Sequence, residues 1–299
     1  MDLSVVNHED YFAKIGDDHK FPINKFGELA NYLIKKKIVE KFHKPYACSE
    51  ETLKRVHSEN YIKHIKEKTL DQNVIKKIGF PLIDSVVRRS LVATGGTVLA
   101  AKLAIKNGVA CNTAGGSHHA NFDGGAGYCV FNDVAVAAQY LLDRGLAGRI
   151  LIIDLDVHQG NGTAEIFGGD DSVFTFSMHG EKNYPFKKEK SDVDIGLANE
   201  TKDEEYLKIL KETLPQLIEE VKPDFVFYLS GVDVLETDQL GKLSLSIKAC
   251  KERDRFVLQS LKDKNLPVEC SMGGGYSKEI KHIVEAHANT YRLAQEIFY

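Results

Sequence analysis

Ile150-Leu151-Ile152-Ile153-Asp154-Leu155-Asp156-Val157-His158-Gln159-Gly160-Asn161-Gly162 opens as an uninterrupted apolar run and closes in two acids and an imidazole. The apolar half is the pattern of a strand buried on both faces, as in a parallel sheet covered by helices. Asp154, Asp156 and His158 are spaced two apart, so an extended backbone points all three to the same side. Carboxylates and an imidazole at the end of a buried strand are costly to desolvate unless they are paired or hold a cation. A metal is the simplest partner. The strand reads as one wall of a metal-dependent site.

On either side of this stretch, helical and strand-like patterns alternate. Helices are expected over Lys25–Lys36, in two short pieces between Ser49 and Lys68, and over Asp84–Asn107, Val134–Arg144, Lys202–Val221, Ser246–Asp263 and Glu279–Ile297. Asn132 has the chemistry of an N-cap for the helix at Val134–Arg144, and Gly145 that of its stop. Strands are expected at Arg149–Asp154, Ser172–Ser177, Asp224–Ser230 and Pro267–Met272. This alternation implies an α/β fold with a mostly parallel central sheet and helices on both faces. No linker, repeat or low-complexity run divides the chain, so residues 1–299 are expected to form one domain. Ligands of such sheets bind at the carboxyl ends of the strands.

Composition narrows the function classes. The chain has 43% hydrophobic and 27% charged residues, and its net charge of −4 is mixed throughout. That balance argues against non-specific nucleic-acid binding. No apolar run approaches the roughly 20 residues that span a bilayer. The first ten residues lack the basic start and apolar core of a signal peptide. The five cysteines, Cys48, Cys111, Cys129, Cys250 and Cys270, are odd in number and widely spaced, without a C-x-x-C. This suits reduced thiols and a cytoplasmic setting, with no membrane partner.

Four segments then carry polar groups that packing does not explain. They are Gly115-Gly-Ser-His118-His119, Asp154–Asn161, Leu229-Ser-Gly-Val-Asp233 and Gly273-Gly274-Gly275-Tyr276. Adjacent side chains diverge on an extended backbone, so His118 and His119 suit acid–base work better than a shared ion. Asp156, His158 and Asp233 make a two-carboxylate, one-imidazole ligand set for a divalent cation. Three protein ligands leave a position open for water and substrate, the catalytic rather than the structural arrangement. Bound Zn²⁺ would acidify water and polarise a carbonyl. Asp154 is placed to orient a histidine from behind. The glycine triplet can aim the Tyr276 hydroxyl at a developing oxyanion, although by itself it suits a structural tyrosine equally well.

Taken together and in this order, these residues resemble the zinc-dependent histone deacetylase superfamily, which includes acetylpolyamine amidohydrolases and acetoin-utilisation proteins. The matching stretches are Gly-Ser-His118-His119, Gly127-Tyr128-Cys129-Val-Phe-Asn132-Asp133, Asp154 to Gly162, Ser230-Gly-Val-Asp233 and Gly-Gly-Gly-Tyr276. Pro45 and Val56-His57-Ser58-Glu59-Asn60-Tyr61-Ile62 match the family's N-terminal pattern, so the resemblance runs from about residue 45 to the end. Asp233-Val-Leu-Glu-Thr-Asp238-Gln-Leu-Gly, the short length and His19-Lys-Phe-Pro resemble the class IV type. The resemblance implies the three-layer arginase/deacetylase-like fold and hydrolysis of the amide of an Nε-acyl-lysine, acetyl or longer. It implies one Zn²⁺ on Asp156, His158 and Asp233, and His119 as general base and then acid. His118 would assist electrostatically, held by Asp154, and Tyr276 would polarise the acyl carbonyl. Tyr128, Tyr184, Gly127 and Gly274 would wall a narrow tunnel. Asp154, Asp156, His158, Ser177 and Met178 correspond to the family's structural potassium site.

Two departures stand out. Asn161 occupies the place where class I members pair an aspartate with the second histidine, and this reads as tuning, because a neutral partner raises a histidine pKa less. In Tyr184-Pro185-Phe186-Lys187-Lys188-Glu189-Lys190, many members have glycine after the proline, and this loop is expected to rim the site. Three alternatives compete with the lysine-deacylase reading. Arginase-like hydrolases with two manganese ions need a second carboxylate two residues after Asp233, where this chain has Leu235. A non-catalytic binder of acyl-lysine would be favoured if ligands or Tyr276 were missing, and all are present. A small acetylated amine such as an acetylpolyamine remains a possible substrate, disfavoured by the lack of a long insertion to restrict access.

Overall fold

In the computed structural model, which describes residues 2–16 and 18–299, seven strands form one wholly parallel sheet. They are β1 (Ser4–Val6), β2 (Val109–Asn112), β3 (Ile150–Asp154), β4 (Val173–Gly180), β5 (Val193–Leu197), β6 (Phe225–Leu229) and β7 (Val268–Ser271). Their order across the sheet is β1-β2-β7-β6-β3-β4-β5. Every residue of β3, β6 and β7 is buried, as a sheet covered on both faces requires, Glu269 of β7 included. The edge strand β5 alternates between half-buried and exposed positions instead.

Ten α-helices surround the sheet among the described residues: α1 (Lys25–Lys35), α2 (Glu50–Leu53), α3 (Glu59–Glu67), α4 (Gln72–Ile78), α5 (Asp84–Asn107), α6 (Asp133–Asp143), α7 (Asn161–Ile166), α8 (Asp203–Val221), α9 (Ile247–Asp263) and α10 (Ile280–Phe298). α5 packs on α6 and on β1, β2 and β7, whereas α8, α9, α10 and α1 form a second, separate group. Asn132 caps α6 as expected, its side chain accepting from the Ala135 amide. No described helix is long and apolar enough to cross a membrane.

The strand order places the site. From β3 the chain builds outward through β4 to β5, then returns to the other side of β3 with β6 and β7. β3 and β6 therefore flank a topological switch point, where open parallel sheets form their ligand crevice. Their register pairs Asp154 with Leu229, so the segments leaving the two strands start level with each other. Short β1 and β2 and edge β5, together with α4 and α7, have no counterpart among the expected elements. Each is short and draws its order from neighbours rather than from its own periodicity.

Candidate active site

Asp156 and His158 follow β3, and Asp233 follows β6. Their ligand atoms lie within 4.8 Å of one another, and all three residues are buried. His158 Nδ1 stands 3.0 Å from Asp156 Oδ1 and 3.1 Å from Asp233 Oδ2. The remaining oxygens are tied to backbone, Asp156 Oδ2 accepting from Gly274 N at 2.7 Å and Asp233 Oδ1 from Val157 N at 2.9 Å. The convergence does not come from the pleat expected above. β3 ends at Asp154, and the chain bends through residues 156–158. The bend turns Asp156 and His158 toward Asp233 and leaves Asp154 facing a different partner.

This donor set fits a divalent cation. Two carboxylates share a dry space, and among the described residues only histidines form ion pairs with them. Burial and the neighbouring Asp156 push the Asp233 carboxyl up to about 7. His158 is driven the other way: burial opposes its charge, yet Asp156 and Asp233 raise it to about 10. The space favours positive charge, and two oxygens with one nitrogen suit zinc. A Cβ on Gly274 would fall 2.0 Å from Asp233 Oδ2 and 2.7 Å from Asp156 Oδ2, so only glycine leaves room for both acids.

The histidine pair is held by a turn with Gly115 at φ +86° and Gly116 at φ +78°, a region that favours glycine. The buried Asp133 carboxylate fastens it, accepting from Gly116 N at 3.2 Å and Ser117 N at 2.7 Å. The rings of His118 and His119 lie 4.1 Å apart, with different partners. His118 Nδ1 meets Asp154 Oδ2 at 2.6 Å, and His119 Nδ1 meets Asn161 Oδ1 at 2.7 Å. Burial works against charge on both. Asp154 and Asp156 overcome it at His118, whose pKa rises to about 9. At His119 burial is reinforced by the positive rings of His118 and His158, and its pKa falls well below the usual histidine range. Two adjacent imidazoles thus favour opposite protonation states.

A cavity of about 380 Å³ opens above these groups, with His119, His158 and Tyr276 on its wall beside Gly127, Tyr128 and Tyr184. The Tyr276 ring lies 6.3 Å from that of His158, and its amide donates to Asp238 Oδ2 at 2.6 Å. Tyr184 stands edge-on to His119 at 4.8 Å. Tyr128 has φ +65°, uncommon for a residue with a Cβ, and its amide donates to the Ile78 carbonyl at 2.7 Å. Gly274 lines a small inner recess that shares His119, Gly127, Tyr128, His158 and Tyr276 with this cavity. Ser177 and Met178 are buried in β4, with Ser177 paired in register to Asp154.

Three buried cations, Lys25, Arg89 and Arg253, escaped the reading from sequence, and two of them brace the backbone of the ligand-bearing and tyrosine segments. Arg253 of α9 is fully buried, and its Nη1 donates to Leu155 O at 3.2 Å and Gly231 O at 2.7 Å. Those carbonyls belong to the segments that carry Asp156 and Asp233, so one guanidinium ties the two together from behind. Lys25, also buried, directs Nζ at Gly273 O and Gly275 O, at 3.3 and 3.4 Å, and lies over the Tyr276 ring at 5.2 Å. A signal was available for both. Each occupies a position of its helix's buried stripe, where an apolar residue is the norm.

A family model described as "Histone deacetylase domain" matches residues 19–291. An uncharacterized protein of Picosynechococcus sp. is 44% identical over the full length of both chains. "Histone deacetylase 2" of Arabidopsis thaliana is 30% identical over 94% of this chain and 76% of its own length. The crystal structure of the HDA15 HD domain superposes with a TM-score of 0.80 over 99% of this chain and 89% of that one. At 19% identity that last likeness is one of fold.

Proposed function

This chain belongs to the histone deacetylase family, an amide-hydrolysing deacetylase family, and from that premise we propose that it hydrolyses the amide of an Nε-acyl-lysine using one Zn²⁺ held by Asp156, His158 and Asp233. The observation that carries this reading is the convergence of those ligands beside His119 and Tyr276 on the wall of one cavity. When bound, the ion acts as a Lewis acid on the acyl carbonyl and on the attacking water.

The chain's own residues supply the rest. His119 donates from Nδ1 to the Asn161 amide oxygen, which leaves Nε2 free to accept a proton from water and return it to the leaving amine. Its proton shuttles between water and lysine nitrogen, so neither leaves as an unstable ion. His118 keeps positive charge beside the developing oxyanion through its bond to Asp154. The Tyr276 hydroxyl donates to that oxyanion, an interaction strongest in the transition state. Gly127, Tyr128 and Tyr184 enclose the lysine methylenes. Gly127 belongs there because a Cβ would sit 2.4 Å from His119 Cδ2.

The potassium site is part of the same proposal, with Asp154, Asp156, His158, Ser177 and Met178 lending oxygens where β3 and β4 end. So are a single domain, a class IV-type affiliation and a cytoplasmic setting, the last in keeping with five free cysteines. Leu235, buried after Asp233, offers no second metal a ligand. The test is a panel of ε-acyl-lysine peptides from acetyl to myristoyl, run beside acetylpolyamines. Chelator-sensitive release from the peptides is expected. Release from the polyamines alone would transfer the activity to small amines.

A further inference from the structure

The mouth of the active-site cavity is basic, although the chain as a whole is net negative. Four exposed lysines line it, Lys76, Lys77, Lys182 and Lys242, and none of its lining residues is an aspartate or glutamate. They come from three separate segments. Lys76 and Lys77 stand in the last turn of α4, where a cation also complements the helix dipole. That accounts for no more than half the cluster. Lys182 follows β4 and Lys242 follows β6, and the Lys242 Nζ donates to the Lys182 carbonyl at 2.9 Å, which fixes these two segments side by side. Asp238 and Glu181 stand nearby, and neither lines the mouth. Asp238 accepts from the amides of Leu240, Gly241 and Tyr276, at 2.8, 2.9 and 2.6 Å, and Glu181 lies over Gly196 of the edge strand.

An acyl-lysine side chain is neutral, so the walls of the cavity admit it whatever its neighbours in sequence. The rim meets those neighbours. An acetylpolyamine retains free ammonium groups, and a basic protein tail carries cations on both sides of the acylated residue. Either brings like charge to the four lysines within the roughly 8 Å over which physiological salt leaves charges interacting. An acidic segment brings opposite charge to the same place. Resting on the acyl-lysine reading, we propose that this rim selects acyl-lysines flanked by aspartate or glutamate and rejects acylated polyamines and basic tails.

The experiment compares three peptides that share one acyl-lysine and differ only in flanks of Asp/Glu, Ser/Ala or Lys/Arg, with acetylputrescine as a fourth substrate, at low and high salt. At low salt kcat/KM is expected to favour the acidic over the basic peptide by about tenfold or more, mainly through KM, and to converge as salt rises. The paired substitutions Lys76→Glu with Lys77→Glu, and Lys182→Glu with Lys242→Glu, lie on the surface and should shrink or invert the preference. Equal rates at low salt, or a preference for basic flanks or acetylputrescine, overturn the proposal. The neutral peptide separates the two readings. Its hydrolysis without any charge preference defeats the rim alone, whereas no hydrolysis of any peptide by zinc-loaded protein defeats both.

Discussion

Replacing Tyr276 by phenylalanine removes one hydroxyl and keeps the ring that packs against Phe21, Tyr128 and His158. The variant should bind zinc as before and lose about 100- to 1000-fold in turnover, the usual cost of one oxyanion donor. Metal analysis and single-turnover kinetics on Tyr276→Phe check this, and full activity would remove the hydroxyl from the mechanism. Asn161 tunes the base. Burial and the positive rings nearby hold the His119 imidazolium well below its usual pKa, and a base must be neutral to act. Activity should therefore fall only as acid carries the pH down through that low value. Asn161→Asp sets a carboxylate against Nδ1, favours the charged ring and raises the pKa, so the acidic limb of kcat/KM should move to higher pH. An unmoved limb would separate this pair from proton transfer. The spacing of Asp154, Asp156 and His158 announces a polar site from sequence alone. The reason given for their convergence, an extended strand, was not the one found. The bend after Asp154 is held by local bonds from Asp156 N to Asp154 Oδ1 at 3.1 Å and from His158 N to Asp156 Oδ1 at 3.0 Å, and by contacts with Gly274 and Asp233 far away in the chain, none of which hydrophobic periodicity encodes.

Helix α9 carries the next level of organisation. Its stripe of Ala249, Cys250, Val257, Leu258 and Leu261 packs inward, and Arg253 and Asp254 sit within it. Asp254 is held by the Tyr228 hydroxyl at 2.6 Å and the Thr290 hydroxyl at 2.6 Å, and Arg253 Nε donates to it at 2.9 Å. The helix thereby presents its guanidinium to both ligand-bearing segments. Arg253→Met would leave Asp254 buried without its cation and two carbonyls without a donor, and should cost about 3–5 kcal/mol in stability. Zinc affinity should fall with it, by competition titration in the folded variant, and Arg253→Lys should recover part of that loss. Unchanged affinity would confine Arg253 to holding the fold. Periodicity located α9 and α5 almost to the residue because each has a long buried stripe of its own. β1, β5 and α7 are too short to carry one. α7 begins at Asn161 because the amides of Gly162 and Thr163 find the His118 carbonyl, at 2.9 and 3.2 Å.

Over the whole molecule, the sheet order brings distant parts of the sequence to one place. His118, Asp156, Asp233 and Tyr276 follow β2, β3, β6 and β7 respectively, four strands contiguous in the sheet though not in the chain. The parallel α/β class was readable from alternating patterns, and its strand order was not, since each buried apolar strand could pair with several others. A metal bound only by the folded arrangement stabilises it by mass action, so removing zinc should lower the melting temperature by roughly 5 °C or more. Calorimetry with and without chelator measures that shift, and coincident transitions would argue against a ligand set assembled by folding. The most direct test of the account combines metal content with hydrolysis of one acetyl-lysine peptide, before chelation, after it, and after zinc is restored. The account predicts one zinc per chain, activity lost with the metal and regained with it. Hydrolysis that survives complete removal of metal, or none at all from protein carrying one zinc per chain, would contradict it.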